Sequence, residues 1–150
     1  MTAQWKSSRP SFEANEDLPF EPYYATKQGE MYWASVEDAL KVDAFLEMRG
    51  KVNLIVTSPP FPLVRKKRYG NETGSAYIEW LKALAVPLAG LLAENGSIVI
   101  EIGNAWEEGV PVMSTLPLEA LLAFKAAASL QLCQHVICHN PARLSVVRQQ

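Results

Sequence analysis

Val52-Asn53-Leu54-Ile55-Val56-Thr57-Ser58-Pro59-Pro60-Phe61 is the stretch that decides the fold. Its apolar start, Val52 to Val56, has the length and branched content of a fully buried strand. Two prolines then stop the strand, because neither has an N–H to give a ladder. They fix φ and force a stiff, extended loop at the strand's carboxyl end. In an open parallel sheet that end is where ligands bind. The loop carries a hydroxyl (Ser58), backbone carbonyls held in place, and an aromatic face (Phe61). Such a set suits a planar ring bearing an exocyclic amine: the hydroxyl and a proline carbonyl accept from the NH2, and Phe61 stacks.

Working outward, residues 1–21 are polar, broken by proline and without period, so an irregular arm is expected. Glu30 to Ala34 reads as a short strand. Ser35, with Asp38 three residues on, reads as an N-cap for a helix over Val36 to Glu47, stopped by Gly50. Beyond the proline loop, Leu63 to Gly74 is polar and basic and reads as exposed. Tyr77, Trp80, Leu81, Leu84, Leu88 and Leu91 then recur at helical spacing, with Pro87 as a kink and Asn95-Gly96 as the stop. Ser97 to Ile102 reads as a second buried strand. A loop over 104–114 leads to a helix from Pro117 to Ser129, with proline in its first turn. Leu130 to His139 reads as the last strand, ended by Asn140-Pro141.

This β-α-β-α-β-α-β order predicts a doubly wound α/β fold: a mostly parallel sheet with helices on both faces. Three loops, 57–74, 103–114 and 139–144, then gather at the carboxyl ends of strands.

The 150 residues fit one domain with a real core. Mean hydropathy is −0.02, and no apolar run reaches the ~18 residues of a membrane span. Met1 to Lys6 has no apolar signal core, and the chain reads as cytoplasmic. A net charge of −2 argues against a globally basic nucleic-acid coat, though Arg65-Lys66-Lys67-Arg68 forms a local basic patch. Cys133 and Cys138 lie five apart and face opposite ways in the expected strand, so they should not pair. Only Cys133, His135 and His139 would share a face. That spacing fits no usual zinc pattern and reads as core strand rather than a metal site.

Ser58-Pro59-Pro60-Phe61 after a buried strand resembles the catalytic loop of the DNA amino-methyltransferases, in their β-group and more the N4-cytosine than the N6-adenine branch. Pro22-Tyr23-Tyr24-Ala25-Thr26, Gly29-Glu30-Met31-Tyr32, Thr57 to Phe61, Arg65 to Asn71, Gly109-Val110-Pro111 and Asn140-Pro141 follow in the order seen in PvuII-type modification enzymes. The resemblance covers about residues 22–144 and implies a partial Rossmann-like, S-adenosylmethionine-dependent methyltransferase fold. It also implies direct methyl transfer to the amine of a cytosine flipped out of duplex DNA. Ser58, Pro59, Pro60 and Phe61 would be the catalytic loop, with the Ser58 hydroxyl and Pro59 carbonyl on the amine and Phe61 on the base. Thr57 and Ser35 would face the cofactor. Ser35 stands where this family commonly has an acidic residue after a glycine, and here the pair is Ala34-Ser35. A plain N-cap serves equally well for Ser35.

The same resemblance puts Glu101, Gly103, Asn104 and Trp106 at the base pocket, with Gly103 permitting close approach or positive φ. It puts Arg65, Lys66, Lys67, Arg68, Asn140 and Arg143 on DNA. Members of this group carry the catalytic half first, then a segment that reads DNA sequence, then a cofactor half with a Phe-x-Gly-x-Gly loop. The eight glycines here (29, 50, 70, 74, 90, 96, 103, 109) include no Gly-x-Gly. The expectation is therefore a catalytic half, residues 22–150, without the cofactor-loop half or the target-recognition segment. It would work when a second polypeptide or self-association completes the sheet, or would be an inactive remnant. Either way the sheet would present open hydrophobic surface.

Overall fold

A computed structural model describes residues 21–61, 72–104, 106, 107 and 109–138. The chain divides into two compact units, residues 1–42 and 43–150.

In the first unit, β1 (Tyr24–Ala25) and β2 (Glu30–Met31) form an antiparallel hairpin in the register Tyr24↔Met31 and Ala25↔Glu30. Thr26 closes its turn. The Thr26 hydroxyl donates to the Gly29 carbonyl at 3.1 Å, and the N–H groups of Gln28 and Gly29 donate to Thr26 Oγ1 at 3.2 Å each. A threonine hydroxyl thus does what a backbone turn would do. Tyr23 meets Trp33 edge-on, with ring centroids 6.0 Å apart. The strand expected over 30–34 shortens to Glu30–Met31, which pair with Ala25 and Tyr24.

The helix expected over 36–47 is two short ones, α1 (Val36–Ala39) and α2 (Asp43–Leu46). After Ala39 the N–H groups of Lys41 and Val42 bond three residues back, to Asp38 and Ala39, which tightens and ends the first turn. Asp43 then restarts the helix, where a carboxylate favours an N-terminus.

The second unit is built on a βαβ segment. β3 (Val52–Thr57) runs parallel to β4 (Leu92–Ile100), with Leu54↔Ser97, Ile55↔Ile98, Val56↔Val99 and Thr57↔Ile100 paired. Between them α3 (Gly74–Leu91) buries Tyr77, Leu81, Leu84, Ala85, Leu88 and Leu91 along one stripe. α4 (Leu116–Ala127) packs on α3 and buries Pro117, Ala120 and Phe124. These side chains are the core. Pro87 sits inside α3 at an exposed position.

α3 ends at Leu91, four residues before the expected stop at Asn95-Gly96. Its last carbonyls are satisfied from elsewhere: the Gly50 N–H donates to Gly90 O and the Lys51 N–H to Leu91 O, both at 3.1 Å. A helix end whose orphan carbonyls are met this way needs no glycine of its own. The chain turns straight into β4, and the ladder shifts register between Val52 and Leu54.

β3 was expected to be covered on both sides. Leu54 and Val56 are 56% and 67% exposed, and Val99, paired with Val56, is 49% exposed. The exposed apolar surface falls on one face of this pair of strands. The last expected strand is also corrected: Leu130 to Cys138 takes no ladder, and residues 131–138 are exposed throughout. Strand propensity gives no stability without a neighbour to pair with, and among the described residues β4 pairs only with β3. α4 instead closes with Ser129 at φ 53° and the Leu130 N–H on the Lys125 carbonyl at 3.0 Å, a helix-ending turn usually built on glycine. Cys133 and Cys138 are both free and exposed. Among the described residues no helix is long and apolar enough to cross a membrane, and no group of three or more His, Cys, Asp or Glu is gathered.

Candidate active site

The site is the pair of loops that leave β3 and β4 at their carboxyl ends. Thr57 closes β3, and its carbonyl accepts the Glu101 N–H at 2.9 Å, one step beyond the last paired residues. From that bond the two chains run on as Ser58-Pro59-Pro60-Phe61 and Glu101-Ile102-Gly103-Asn104. Ser58 is exposed, Pro59 is buried, and Pro60 and Phe61 are half-buried. The buried proline anchors the loop while the hydroxyl beside it faces solvent. Residues before proline are restricted to extended conformations, and Ser58, Pro59 and Phe61 all precede one. The loop is therefore stiff along its whole length.

Phe61 crosses to the second loop. A Cβ built on Gly103 would lie 2.9 Å from Phe61 Cδ2, 3.0 Å from Cε2 and 3.2 Å from Cγ. Gly103 is not among the glycines with positive φ, which are Gly50, Gly74 and Gly109. Of the two reasons for a glycine here, close approach is the one that holds. The two loops are thus joined by a backbone hydrogen bond at their base and by an aromatic ring four residues out.

Asn104 follows and is exposed. Trp106 is 57% exposed and bridges Met113 in an antiparallel turn, held by the Glu107 N–H on the Val112 carbonyl at 2.8 Å, with Gly109 at φ 77° near its tip. The indole is therefore not a core side chain. It belongs to an arm with Val110, Val112 and Met113, each about half exposed.

Ser35 is the N-cap of α1. Its Oγ accepts the Asp38 N–H at 3.1 Å and donates to Asp38 Oδ2 at 2.7 Å. That hydroxyl bond, with the Lys41 ammonium at 3.1 Å, holds the Asp38 carboxyl below its usual range. Ser35 belongs to the first unit, and the loops after β3 and β4 to the second. Arg65, Lys66, Lys67, Arg68, Asn140 and Arg143 lie outside the described residues.

Two further features stand out, the partner of Gly103 and the hydroxyl of Tyr77. Gly103 was expected at the pocket, but its partner, Phe61, follows only from the register Thr57↔Ile100. Tyr77, in the first turn of α3, is fully buried, and its hydroxyl has no hydrogen-bond partner among the described residues. Burial pushes that phenol above its ordinary pKa. An unpaired buried hydroxyl is rare enough to mark a position, yet its sequence signal is only that of a core aromatic.

Known proteins resemble this chain in sequence and fold. The DNA methylase family matches residues 52–144, from the first residue of β3 through both loops and α4. Type II methyltransferase M.PvuII of Proteus hauseri is 31% identical over 137 residues, which is 89% of this chain and 39% of that protein. A solved structure, that of the PvuII DNA methyltransferase (cytosine-N4-specific), superposes with a TM-score of 0.55 at 34% identity, over 70% of this chain and 36% of that one. The chain thus spans well under half the length of these two relatives. It carries the methyltransferase fold over the part they share, and it belongs to the DNA methylase family.

Proposed function

We propose that this chain is the base-handling portion of an S-adenosylmethionine-dependent DNA methyltransferase that modifies the N4 amine of a cytosine flipped out of duplex DNA, as in restriction-modification. The observation that carries this reading is the junction of the two loops, with an exposed Ser58 hydroxyl on one side and the Phe61 ring seated on Gly103 on the other. An aromatic amine is a poor nucleophile, because its lone pair is shared with the ring. Ser58 Oγ and the Pro59 carbonyl accept its two N–H bonds and localise that pair on nitrogen. Phe61 stacks on the base and fixes its plane. The contribution is orientation and hydrogen bonding, with no covalent bond to the protein. Asn104, Trp106 and Asn140 belong to the base pocket, and Arg65, Lys66, Lys67, Arg68 and Arg143 meet phosphates without reading sequence.

S-adenosylmethionine supplies an electrophilic methyl group when bound. The donor side is less complete in this chain. The Ser35 hydroxyl is already engaged on both sides by Asp38. The exposed face at Leu54, Val56 and Val99 adds to this, because parallel strands are ordinarily covered on both faces. Both observations favour a chain that acts with a further segment, whether a second polypeptide or another copy of itself, which covers that face and supplies the rest of the donor site.

The test is transfer of labelled methyl groups to duplex DNA, with and without such a completing segment, followed by nucleoside analysis. N4-methylcytosine is the expected product. N6-methyladenine would move the target to the other amine-bearing base. Calorimetric binding of S-adenosylmethionine to the chain alone, in the micromolar range, would show that the donor site needs no completion.

A further inference from the structure

The geometry points to Gly103 as a positioning residue: we infer that its missing side chain sets the depth of the Phe61 ring, and so the plane offered to the base. This rests on the reading of Phe61 as the stacking face. Three consecutive ring atoms of Phe61 lie 2.9 to 3.2 Å from where a Cβ on Gly103 would stand. Carbon atoms in ordinary contact sit about 3.5 to 4.0 Å apart. An alanine at 103 therefore has to displace the ring by roughly 0.5 Å or more.

The backbone under the ring cannot take up that shift. Pro62 follows Phe61 and keeps it in the extended basin, and Pro60 before it has its own φ fixed by its ring. Pro59 is buried, and the Thr57 carbonyl is bonded to the Glu101 N–H. The displacement falls on the ring, by rotation about its own side-chain bonds, and tilts the stacking plane. Gly103 has no positive φ to preserve, so in the folded chain alanine at this position reads the steric contact rather than a backbone conformation. Because small misplacements of a positioning group are costly, the stacking constant should fall roughly tenfold.

The experiment uses the full chain and a single-stranded oligonucleotide carrying one pyrrolocytosine, whose fluorescence is quenched on stacking. Anisotropy of the same oligonucleotide reports overall binding. The wild type quenches, and Phe61→Ala does not. Gly103→Ala quenches about tenfold more weakly at unchanged anisotropy, and adds nothing further on top of Phe61→Ala. Loss of anisotropy-detected binding from Gly103→Ala, of equal size with and without Phe61→Ala, overturns the inference, because the effect would not pass through Phe61. Wild-type-like quenching by Gly103→Ala overturns it as well. A wild type that does not quench at all overturns the stacking role of Phe61, which is a different result from either. If Gly103→Ala fails to fold, the double variant with Phe61→Leu decides: recovery of the fold supports the contact, and continued failure refutes it.

Discussion

The Phe61 ring lies against the α-carbon of Gly103, with ring atoms 2.9 to 3.2 Å from the place a side chain would begin. That contact joins the loop after β3 to the loop after β4, four residues beyond the last paired position of the first strand. Together with the Thr57–Glu101 hydrogen bond it makes two separate turns into one rigid rim. Ser58 lies in the chain between the bond and the ring, and is exposed.

Ser58 should therefore matter to chemistry and little to the fold. It is exposed, in a loop fixed by the prolines beside it. In the completed methyltransferase, Ser58→Ala should lower the rate of methyl transfer about 100- to 1,000-fold, the scale of losing one well-placed hydrogen-bonding group. DNA affinity and thermal midpoint should stay near wild type. Single-turnover transfer with labelled donor measures the first, and anisotropy the second. Turnover at the wild-type rate would remove Ser58 from the mechanism.

Tyr77 makes the opposite prediction. Its hydroxyl is buried without a partner among the described residues, so it weakens the fold rather than supporting it. Tyr77→Phe should stabilise the protein by about 1 kcal/mol, seen as a higher denaturant midpoint at neutral pH. The pH dependence follows from burial raising the phenol's pKa. Below the ordinary tyrosine value of about 10, folded and unfolded chains are both protonated at this position. Above it the unfolded chain ionises first, so stability drops as pH rises. Tyr77→Phe should flatten that alkaline limb. A loss of stability on removing the hydroxyl would mean that it has a partner after all.

The parts legible in the sequence were those whose cause is local. The β3 run and its proline stop, the long stripe of α3 and the proline-started α4 are each written in one continuous segment. What escaped was pairing. The end of α3 at Leu91 depends on amides of Gly50 and Lys51, some 40 residues earlier in the chain. Leu130 to Cys138 has strand composition, but a strand exists only against a neighbour. In the site, the proline loop and the glycine after β4 were readable, while the contact between them waits on the register that brings Thr57 opposite Ile100. Ser35 illustrates the remaining ambiguity: a hydroxyl at a helix start serves a cap or a ligand equally well until its partner, Asp38, is seen.

That cap gives an acid-side prediction. Asp38 is held below its ordinary pKa first by the Ser35 hydroxyl bond, then by the hydrogen bond and charge of Lys41. The lowered value means that the stabilisation is fully present above the ordinary aspartate value of about 4 and is lost as pH falls through the lower folded value. Carbon-detected titration of the Asp38 carboxyl should show a depressed midpoint, and Ser35→Ala should raise it toward the ordinary value. The Lys41→Met change should move it in the same direction. A Ser35→Ala chain whose Asp38 midpoint does not move would leave the capping bond without effect on the carboxyl.

Gly96 should be as intolerant of a side chain as Gly103, for a different reason and with a different consequence. A Cβ there would lie 2.7 Å from the Val52 carbonyl oxygen, 3.0 Å from the Ala93 carbonyl and 3.1 Å from Leu92 Cβ. Two of these are backbone atoms that cannot rotate away, and Val52 is held by its pairing with Leu92. Relief requires moving the start of β3 or β4, where the ladder already shifts register. Gly96→Ala should cost about 1–3 kcal/mol, more than the roughly 0.4–1 kcal/mol gained from a stiffer unfolded chain. The net effect is a lower denaturant midpoint and faster amide exchange at Val52 and Ser97. Val52 stands at the far end of β3 from Ser58, about 20 Å away along an extended strand, so base quenching by the folded fraction should be unchanged. An unaltered midpoint would show that the strand start yields freely, and altered quenching at full folding would show that the two ends of β3 are mechanically coupled.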